Sequence, residues 1–228
     1  MLRKVVFATT LCGVAAWSHG AVSLLTQDRS ISAATSFDAN VVTQSATDFL
    51  PFVATARSAI DFPIVEGGTA VNVADSTINC IVDPNAIRAF GALTASGGIG
   101  VVGGRPEPVF GEAAAFVSVT FDVLVDTPYT LFVSPRPSFN PDDEFQVELS
   151  ALDGGSDLAE FRIDERDPAQ VINRSGILTP GRYSITYAVE LTGEAAQVAN
   201  EFTFNFTIPA PGSMTALMGL FALSRRRR

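Results

Sequence analysis

Residues 183–191 read Tyr-Ser-Ile-Thr-Tyr-Ala-Val-Glu-Leu, and residues 202–208 read Phe-Thr-Phe-Asn-Phe-Thr-Ile. In both stretches every second residue is apolar, and the residues between them are polar or small. Because successive side chains of a β-strand point to opposite faces, this alternation predicts strands with one buried and one solvated face. Antiparallel sheets have faces of this kind, so the two stretches favour an antiparallel sheet lying on a hydrophobic core.

The same alternation recurs through the second half of the chain. Residues 117–125 and 145–151 place an apolar residue at every second position. Shorter stretches with strand character lie at residues 70–74, 78–82, 129–133 and 159–163. Strands of this number and length predict an all-β fold. We expect an antiparallel β-sandwich of eight to ten strands, with either a jelly-roll or an immunoglobulin-like Greek-key topology.

Turn signals separate the predicted strands. Asp153-Gly154-Gly155 lies between two of them, which predicts a β-hairpin. Pro180 and Gly181 occupy the positions that these residues prefer in a type II turn. Tyr183 follows this turn directly. A tyrosine in this place either ties the corner of a Greek-key sandwich through its hydroxyl or is an ordinary half-buried strand residue.

The first half of the chain has weaker patterns. Residues 26–59 mix Ser, Thr, Ala and Asp with scattered Phe and Val, which predicts short strands or, near residues 45–52, a helical turn. Residues 88–108 are rich in glycine and are expected to be irregular. We find no repeat of fixed period and no Pro/Ser-rich linker, so residues 21–208 are expected to form one β-sandwich domain.

Charge is distributed unevenly along the 228 residues. The whole chain carries a formal net charge of −9, but residues 21–208 contain nine Arg and no Lys against 24 Asp plus Glu, a balance of −15. A surface this acidic repels phosphate backbones, so nucleic-acid binding is not expected.

The N-terminal residues have the layout of a secretory signal peptide. Arg3 and Lys4 precede an apolar or small run at residues 5–16, and Ser18 and Gly20 supply small residues before a cleavage site. A membrane anchor is the alternative, but the twelve residues of the run span about 18 Å as a helix, against a hydrocarbon core of ~30 Å. We therefore predict that residues 1–20 are a signal peptide removed on export.

The last twenty residues combine a proline motif, an apolar segment and a basic cluster. The motif is Pro209, Ala210, Pro211 and Gly212, and the membrane-side basic anchor is Arg225, Arg226, Arg227 and Arg228. Apolar residues surround the intervening helix instead of lining one stripe, which argues against an amphipathic helix buried on the protein. The segment is predicted to be a short transmembrane helix that inserts transiently and is held from the cytoplasmic side by its arginines.

This three-part tail resembles the PEP-CTERM sorting signal of secreted bacterial proteins. Ala210 stands where that signal has glutamate between two prolines, so the chain departs from the family at the central position. The resemblance covers residues 209–228. It implies recognition by an exosortase, a membrane transpeptidase-like enzyme, and removal of the tail. It also implies a destination in the cell envelope, at the cell surface or in the extracellular exopolysaccharide matrix.

The residue types that most catalytic centres need are missing from the predicted mature chain. Loss of residues 1–20 removes His19, the only histidine, and leaves no lysine and one cysteine, Cys80. Serine–histidine and cysteine–histidine pairs need an imidazole, and zinc sites need more than one Cys or His. We therefore expect no enzyme activity. A glycosidase or lyase built on two carboxylates is the remaining catalytic alternative.

Three local patterns have both a ligand-binding and a structural interpretation. Gly98-Ile99-Gly100-Val101-Val102-Gly103 matches G-x-G-x-x-G, but the prolines that follow exclude the helix that a dinucleotide site requires, so we interpret it as a strand or loop. The acidic stretches at residues 140–144 and 153–157 are either calcium ligands or solvated turns. Cys80 is expected to be a small buried hydrophobe, with an exposed or intermolecular thiol as the alternative.

These observations predict a non-catalytic, secreted cell-surface or extracellular-matrix protein with a structural or adhesive role. Its expected partners are the export machinery, an exosortase-like processing enzyme and, at its destination, exopolysaccharide or envelope proteins. The alternative is a glycan- or protein-binding β-sandwich module. No cofactor is expected, and calcium at the two acidic stretches is the alternative.

Overall fold

The computed structural model describes residues 22–35, 38–64, 67–102, 104–136, 144–152, 159–162, 171–193 and 198–208. Strands account for most of these residues, and the described ranges contain no helix. The strands are, in chain order, β1 (Val22–Thr35), β2 (Asp38–Ala46), β3 (Phe52–Pro63), β4 (Thr69–Asp83), β5 (Ala86–Ala95), β6 (Gly98–Val102), β7 (Arg105–Val109), β8 (Gly111–Val123), β9 (Thr127–Arg136), β10 (Glu144–Ala151), β11 (Ala159–Arg162), β12 (Ile172–Leu178), β13 (Gly181–Gly193) and β14 (Val198–Thr207).

Twelve of these strands form two six-stranded sheets, and β6 and β7 form a separate hairpin. Sheet A has the order β11-β10-β13-β8-β1-β2, and sheet B has the order β12-β9-β14-β5-β4-β3. All neighbouring strands are antiparallel. The predicted all-β antiparallel sandwich is confirmed. The described part of the chain has fourteen strands, more than the eight to ten expected.

The two stretches that predict the fold lie in opposite sheets, and their apolar faces meet in the core. Phe202, Phe204 and Phe206 of β14 are buried. The ring of Tyr187, on β13, lies with its centroid 5.2 Å from that of Phe202 and 5.3 Å from that of Phe204. Aromatic pairs at such distances contribute about 0.5–1.5 kcal/mol each beyond the burial of their area. These contacts therefore hold sheet A against sheet B.

The first half of the chain is more regular than its sequence indicates. Residues 26–59 belong largely to the long strands β1, β2 and β3, and residues 48–50 form a bend where a helical turn was the alternative. The inward side chains of β3 include Ala54, Ala56 and Ser58, which are too small or too polar to give a clear apolar period. The expectation of short strands or a helical turn was wrong for this reason.

Most described residues of the glycine-rich stretch 88–108, expected to be irregular, lie in strands. The stretch contains most of β5 together with β6 and β7. The first five residues of its G-x-G-x-x-G motif form β6, and the next described element is the strand β7 instead of a helix. The interpretation of the motif as a strand or loop is thus confirmed, and the dinucleotide interpretation has no structural support.

Tyr183 ties the corner between β12 and β13. Its hydroxyl donates a hydrogen bond to the carbonyl oxygen of Thr179 at 2.9 Å, and its ring stacks on Phe121 at a centroid distance of 6.0 Å. Of the two interpretations of this residue, the corner tyrosine is the one observed. Gly181 does not have a positive φ, so the expected type II turn, which needs one at this position, was wrong.

We predict that Tyr183→Phe lowers the free energy of unfolding by about 1 kcal/mol, because it removes a part-buried hydrogen bond and leaves the ring in place. Urea unfolding measures the change. Tyr129→Phe is the matched control, since Tyr129 is also buried but its hydroxyl has no hydrogen bond within the described ranges. Equal midpoints for the two variants would contradict the role of the corner.

Candidate functional site

A groove crosses the outer face of sheet B, opposite the core. Its volume is about 730 Å³, within the range of ligand-binding pockets, which is roughly 300–1,000 Å³. Five neighbouring strands contribute to it, in the order β3, β4, β5, β14 and β9. The groove is therefore a feature of the sheet itself and does not depend on a single loop.

One row of directly paired residues forms the middle of the groove. From β3 to β9 the row consists of Val53, Asn79, Phe90, Thr203 and Ser134. Each residue faces the next across one strand spacing, so the row spans about 19 Å. Because their neighbours along each strand point into the core, all five side chains share the outer face.

Large apolar side chains are exposed in the groove. Phe90 is 54% exposed, Phe132 38% and Val53 71%, although each occupies the solvated face of its strand. Large exposed apolar groups that lie close together mark interaction surfaces more often than single exposed residues do. Phe90 and Phe132 thus give this face a surface that a ligand can cover.

Polar groups lie between the exposed rings. The side chains of Asn79, Thr203 and Ser134 make no hydrogen bond with any residue that the structure describes, so their donors and acceptors are open to solvent. Thr77 differs from them, since its hydroxyl donates to the carbonyl oxygen of Ala92 at 3.2 Å and accepts from the Ala92 amide at 3.1 Å. Glu201 is the single charged residue among the described side chains that line the groove.

Gly91 allows β4 and β5 to approach each other beneath the groove. A Cβ atom at this position would lie 2.0 Å from the carbonyl oxygen of Thr77 and 2.7 Å from the ring of Phe202. Only glycine is compatible with such a close approach of backbone and ring. Gly91 therefore couples the floor of the groove to the aromatic core on the other side of the sheet.

A second cluster of chemically active groups lies in the core, around Arg29. This side chain is 0% exposed, and its guanidinium donates to the carbonyl oxygens of Cys80 at 3.3 Å and Asp48 at 2.5 Å. Its charge is balanced by Asp48 Oδ1 at 3.4 Å and lies over the ring of Phe52, 5.3 Å from the centroid. Arg29 thus ties β1 to β4 and to the connection between β2 and β3.

Cys80 is buried beside Arg29, as expected for a small hydrophobe in a strand. Burial raises the pKa of its thiol to about 11, and the positive charge and hydrogen bonding of Arg29 offset part of this effect. Tyr187, also in the core, has its pKa raised well above 10.0 by burial, and its hydroxyl has no partner in the described chain. Both groups are neutral near pH 7, and the Cys80 thiol is not available as a nucleophile.

The residues predicted from the C-terminal motif lie outside the described residues. These are Pro209, Ala210, Pro211, Gly212, Arg225, Arg226, Arg227 and Arg228. The predicted transmembrane helix lies there too, and within the described ranges no helix has the length and apolarity needed to cross a membrane. Most of the two acidic stretches considered for calcium is likewise undescribed, and the described ranges contain no cluster of three or more metal-ligating side chains.

The groove residues were not predicted as a site from the sequence. The sequence offered one signal, an aromatic residue at a position of the strand that faces solvent. Phe132 follows the buried Leu131 and precedes the buried Val133, so its own side chain points to the outer face. Phe90 has the same relation to its strand, but its stretch was expected to be irregular, so no phase could be assigned. The register that brings Phe90 and Phe132 to one face is known only from the structure.

We predict that Gly91→Ala lowers the free energy of unfolding by about 1–3 kcal/mol, because the added methyl group forces β4 or Phe202 to shift. Denaturant unfolding measures the loss. Gly98→Ala is the control, since its methyl group would meet only the Phe62 ring at 3.4 Å, an ordinary contact. A Gly91→Ala protein as stable as Gly98→Ala would contradict the close approach.

We predict that stability falls between about pH 9 and 11 more steeply in the wild type than in Cys80→Ala. In the folded protein the thiol stays protonated up to about pH 11, whereas in the unfolded chain it ionises near 9.0. The unfolded state then binds fewer protons in this window, so a rise in pH favours unfolding. Unfolding curves at several pH values test this, and identical slopes for the two proteins would contradict the burial of Cys80.

Comparison with known proteins gives no family for this chain. No protein-family model matches it, and no curated protein has significant sequence similarity to it. Among solved structures, a GH31 α-xylosidase from Xanthomonas citri aligns at 11% identity with a TM-score of 0.21. The alignment covers 73% of this chain, which spans 29% of the length of that enzyme. A match at that TM-score assigns neither fold nor activity.

Proposed function

We propose that this chain is a non-catalytic, exported protein with a structural or adhesive role at the cell surface or in the extracellular matrix. The observation that carries the proposal is the groove on sheet B. It combines exposed rings of Phe90 and Phe132 with open polar groups, and the part of its lining that the structure describes holds one charged residue, Glu201. Such a surface is suited to holding a partner and poorly suited to acid–base chemistry.

The chemistry of the groove supports binding over turnover. Hydrolysis of a glycosidic bond commonly uses two carboxyl groups about 5–9.5 Å apart, one on each side of the bond. Within the described part of the lining, Glu201 is accompanied by no second carboxylate. The Cys80 thiol lies in the core, away from this face. A carboxylate-based glycosidase or lyase is therefore the least supported alternative.

Export and sorting are proposed from the two ends of the sequence. Residues 1–20 have the layout of a signal peptide, and residues 209–228 resemble the PEP-CTERM signal. The export machinery and an exosortase-like enzyme are the partners that these signals imply. The acidic balance of residues 21–208 is compatible with a hydrated surface outside the cytoplasm.

A glycan- or protein-binding module is the second candidate function. The exposed rings in the groove favour it, because uncovered apolar groups that lie beside polar groups across five strands form a surface that a partner can cover. The two candidate functions predict different behaviour of the purified protein. A binding module retains its partner when purified, whereas a scaffold protein acts through its own assembly.

We predict that the protein recovered from its native cells lies in the envelope or extracellular fraction, with Ala21 as its first residue and without the arginine cluster at its C-terminus. Mass spectrometry of the intact protein from each fraction measures both ends and any attached group. A full-length chain in the cytosol, with residues 1–20 still present, would contradict the proposal.

A further inference from the structure

We propose that the groove on sheet B binds a neutral polysaccharide chain lying across its strands. This inference rests on the proposed function and names the partner that gives the protein its adhesive role. Its basis is the joint presence of Phe90, Phe132 and the open polar groups Asn79, Thr203 and Ser134 on one stretch of the sheet, whose described lining contains one charged residue, Glu201.

Recognition in the groove must use side chains. Strands β4, β5 and β14 in its centre are each hydrogen-bonded to a neighbouring strand on both sides. Their backbone donors and acceptors are thus already in use, and an extended peptide cannot add to the sheet there as a further strand. The occupant is therefore one that side-chain rings, amides and hydroxyls can recognise.

The two rings are placed for a chain molecule. Phe90 lies on β5 and Phe132 lies on β9, and β14 runs between these two strands. Ser134 of β9 is in the same row as Phe90, and Phe132 lies two residues before Ser134 on β9. This places the Cα atoms of the two phenylalanines about 10 Å apart across the strands and about 7 Å along them. A single sugar ring does not span that separation, whereas a chain of sugars covers both rings with its apolar C–H faces.

The polar groups match the hydroxyls of such a chain. The amide of Asn79 and the hydroxyls of Thr203 and Ser134 can each donate and accept hydrogen bonds, as sugar hydroxyls do. All three lie in the row that contains Phe90. A ligand that rests on the rings therefore has hydrogen-bond partners on either side.

Charge distinguishes between classes of polysaccharide. Residues 21–208 carry a balance of −15, which repels polyanions. A polycation would require several carboxylates along its path, but Glu201 is the one carboxylate among the lining residues within the described ranges. A neutral chain avoids both the repulsion and the cost of burying unpaired charges.

The test uses the mature protein purified from native cells and the extracellular polysaccharide of the same cells, separated by ion exchange into neutral, anionic and cationic fractions. The wild type is expected to bind the neutral fraction in affinity electrophoresis or co-sedimentation. Phe90→Ala and Phe132→Ala are each expected to weaken this binding about tenfold, because a ring that is about half exposed becomes covered in the complex.

Phe49→Ala is the matched control, since Phe49 is 40% exposed but lies outside the residues that line the groove. The Phe49→Ala variant should bind the neutral fraction with the affinity of the wild type. The affinity of Glu201→Gln for the neutral fraction should lie within about twofold of that of the wild type, because an uncharged ligand has no charge to pair with Glu201. Unfolding midpoints of all variants distinguish loss of binding from loss of fold.

The outcomes separate this inference from the proposed function. Tighter binding to the anionic or cationic fraction, or equal binding by Phe49→Ala, Phe90→Ala and Phe132→Ala, overturns the neutral-chain site but leaves an adhesive surface protein. Absence of the protein from envelope and matrix fractions overturns both. If the purified protein binds an envelope protein and binds none of the polysaccharide fractions, this inference is also overturned.

Discussion

The contact between Tyr187 of sheet A and the phenylalanines of β14 is the constraint on which the rest of the structure depends. Phe202 and Phe204 lie against Tyr187, and Phe206 lies against Phe121 at a centroid distance of 5.8 Å. Because side chains alternate along a strand, burying these three residues places Glu201, Thr203 and Asn205 on the other face. The core thereby determines which side chains β14 offers to the groove.

Much of the fold can be predicted from the sequence where large apolar residues alternate with polar ones. The strands β8, β10, β13 and β14 belong to this group, whereas the sequence left two interpretations open for Tyr183 at the corner before β13. The first half of the chain could not be predicted in the same way. Its inward positions hold alanines and serines, and Arg29, a charged residue, occupies a core position on β1. Arg29 is tolerated there because two carbonyl oxygens and Asp48 receive its hydrogen bonds.

The candidate site was not predictable, because it is defined by register and not by a motif. Val53, Asn79, Phe90, Ser134 and Thr203 come from five strands, and an error of one residue in any pairing would turn that strand's side chain into the core. No local signal in the sequence carries this information. The patterns that did attract attention in the sequence, G-x-G-x-x-G and Cys80, are a strand and a buried thiol.

The most direct test of the account is to map where the partner touches the protein. Two-dimensional NMR spectra of the isotope-labelled mature protein, recorded with increasing amounts of the neutral polysaccharide fraction, provide that map. We predict shifts confined to the outer face of sheet B, largest at Phe90, Phe132 and Asn79, with the spectrum of sheet A unchanged. Shifts confined to sheet A or to an edge strand, or no shifts at saturating polysaccharide, would contradict it.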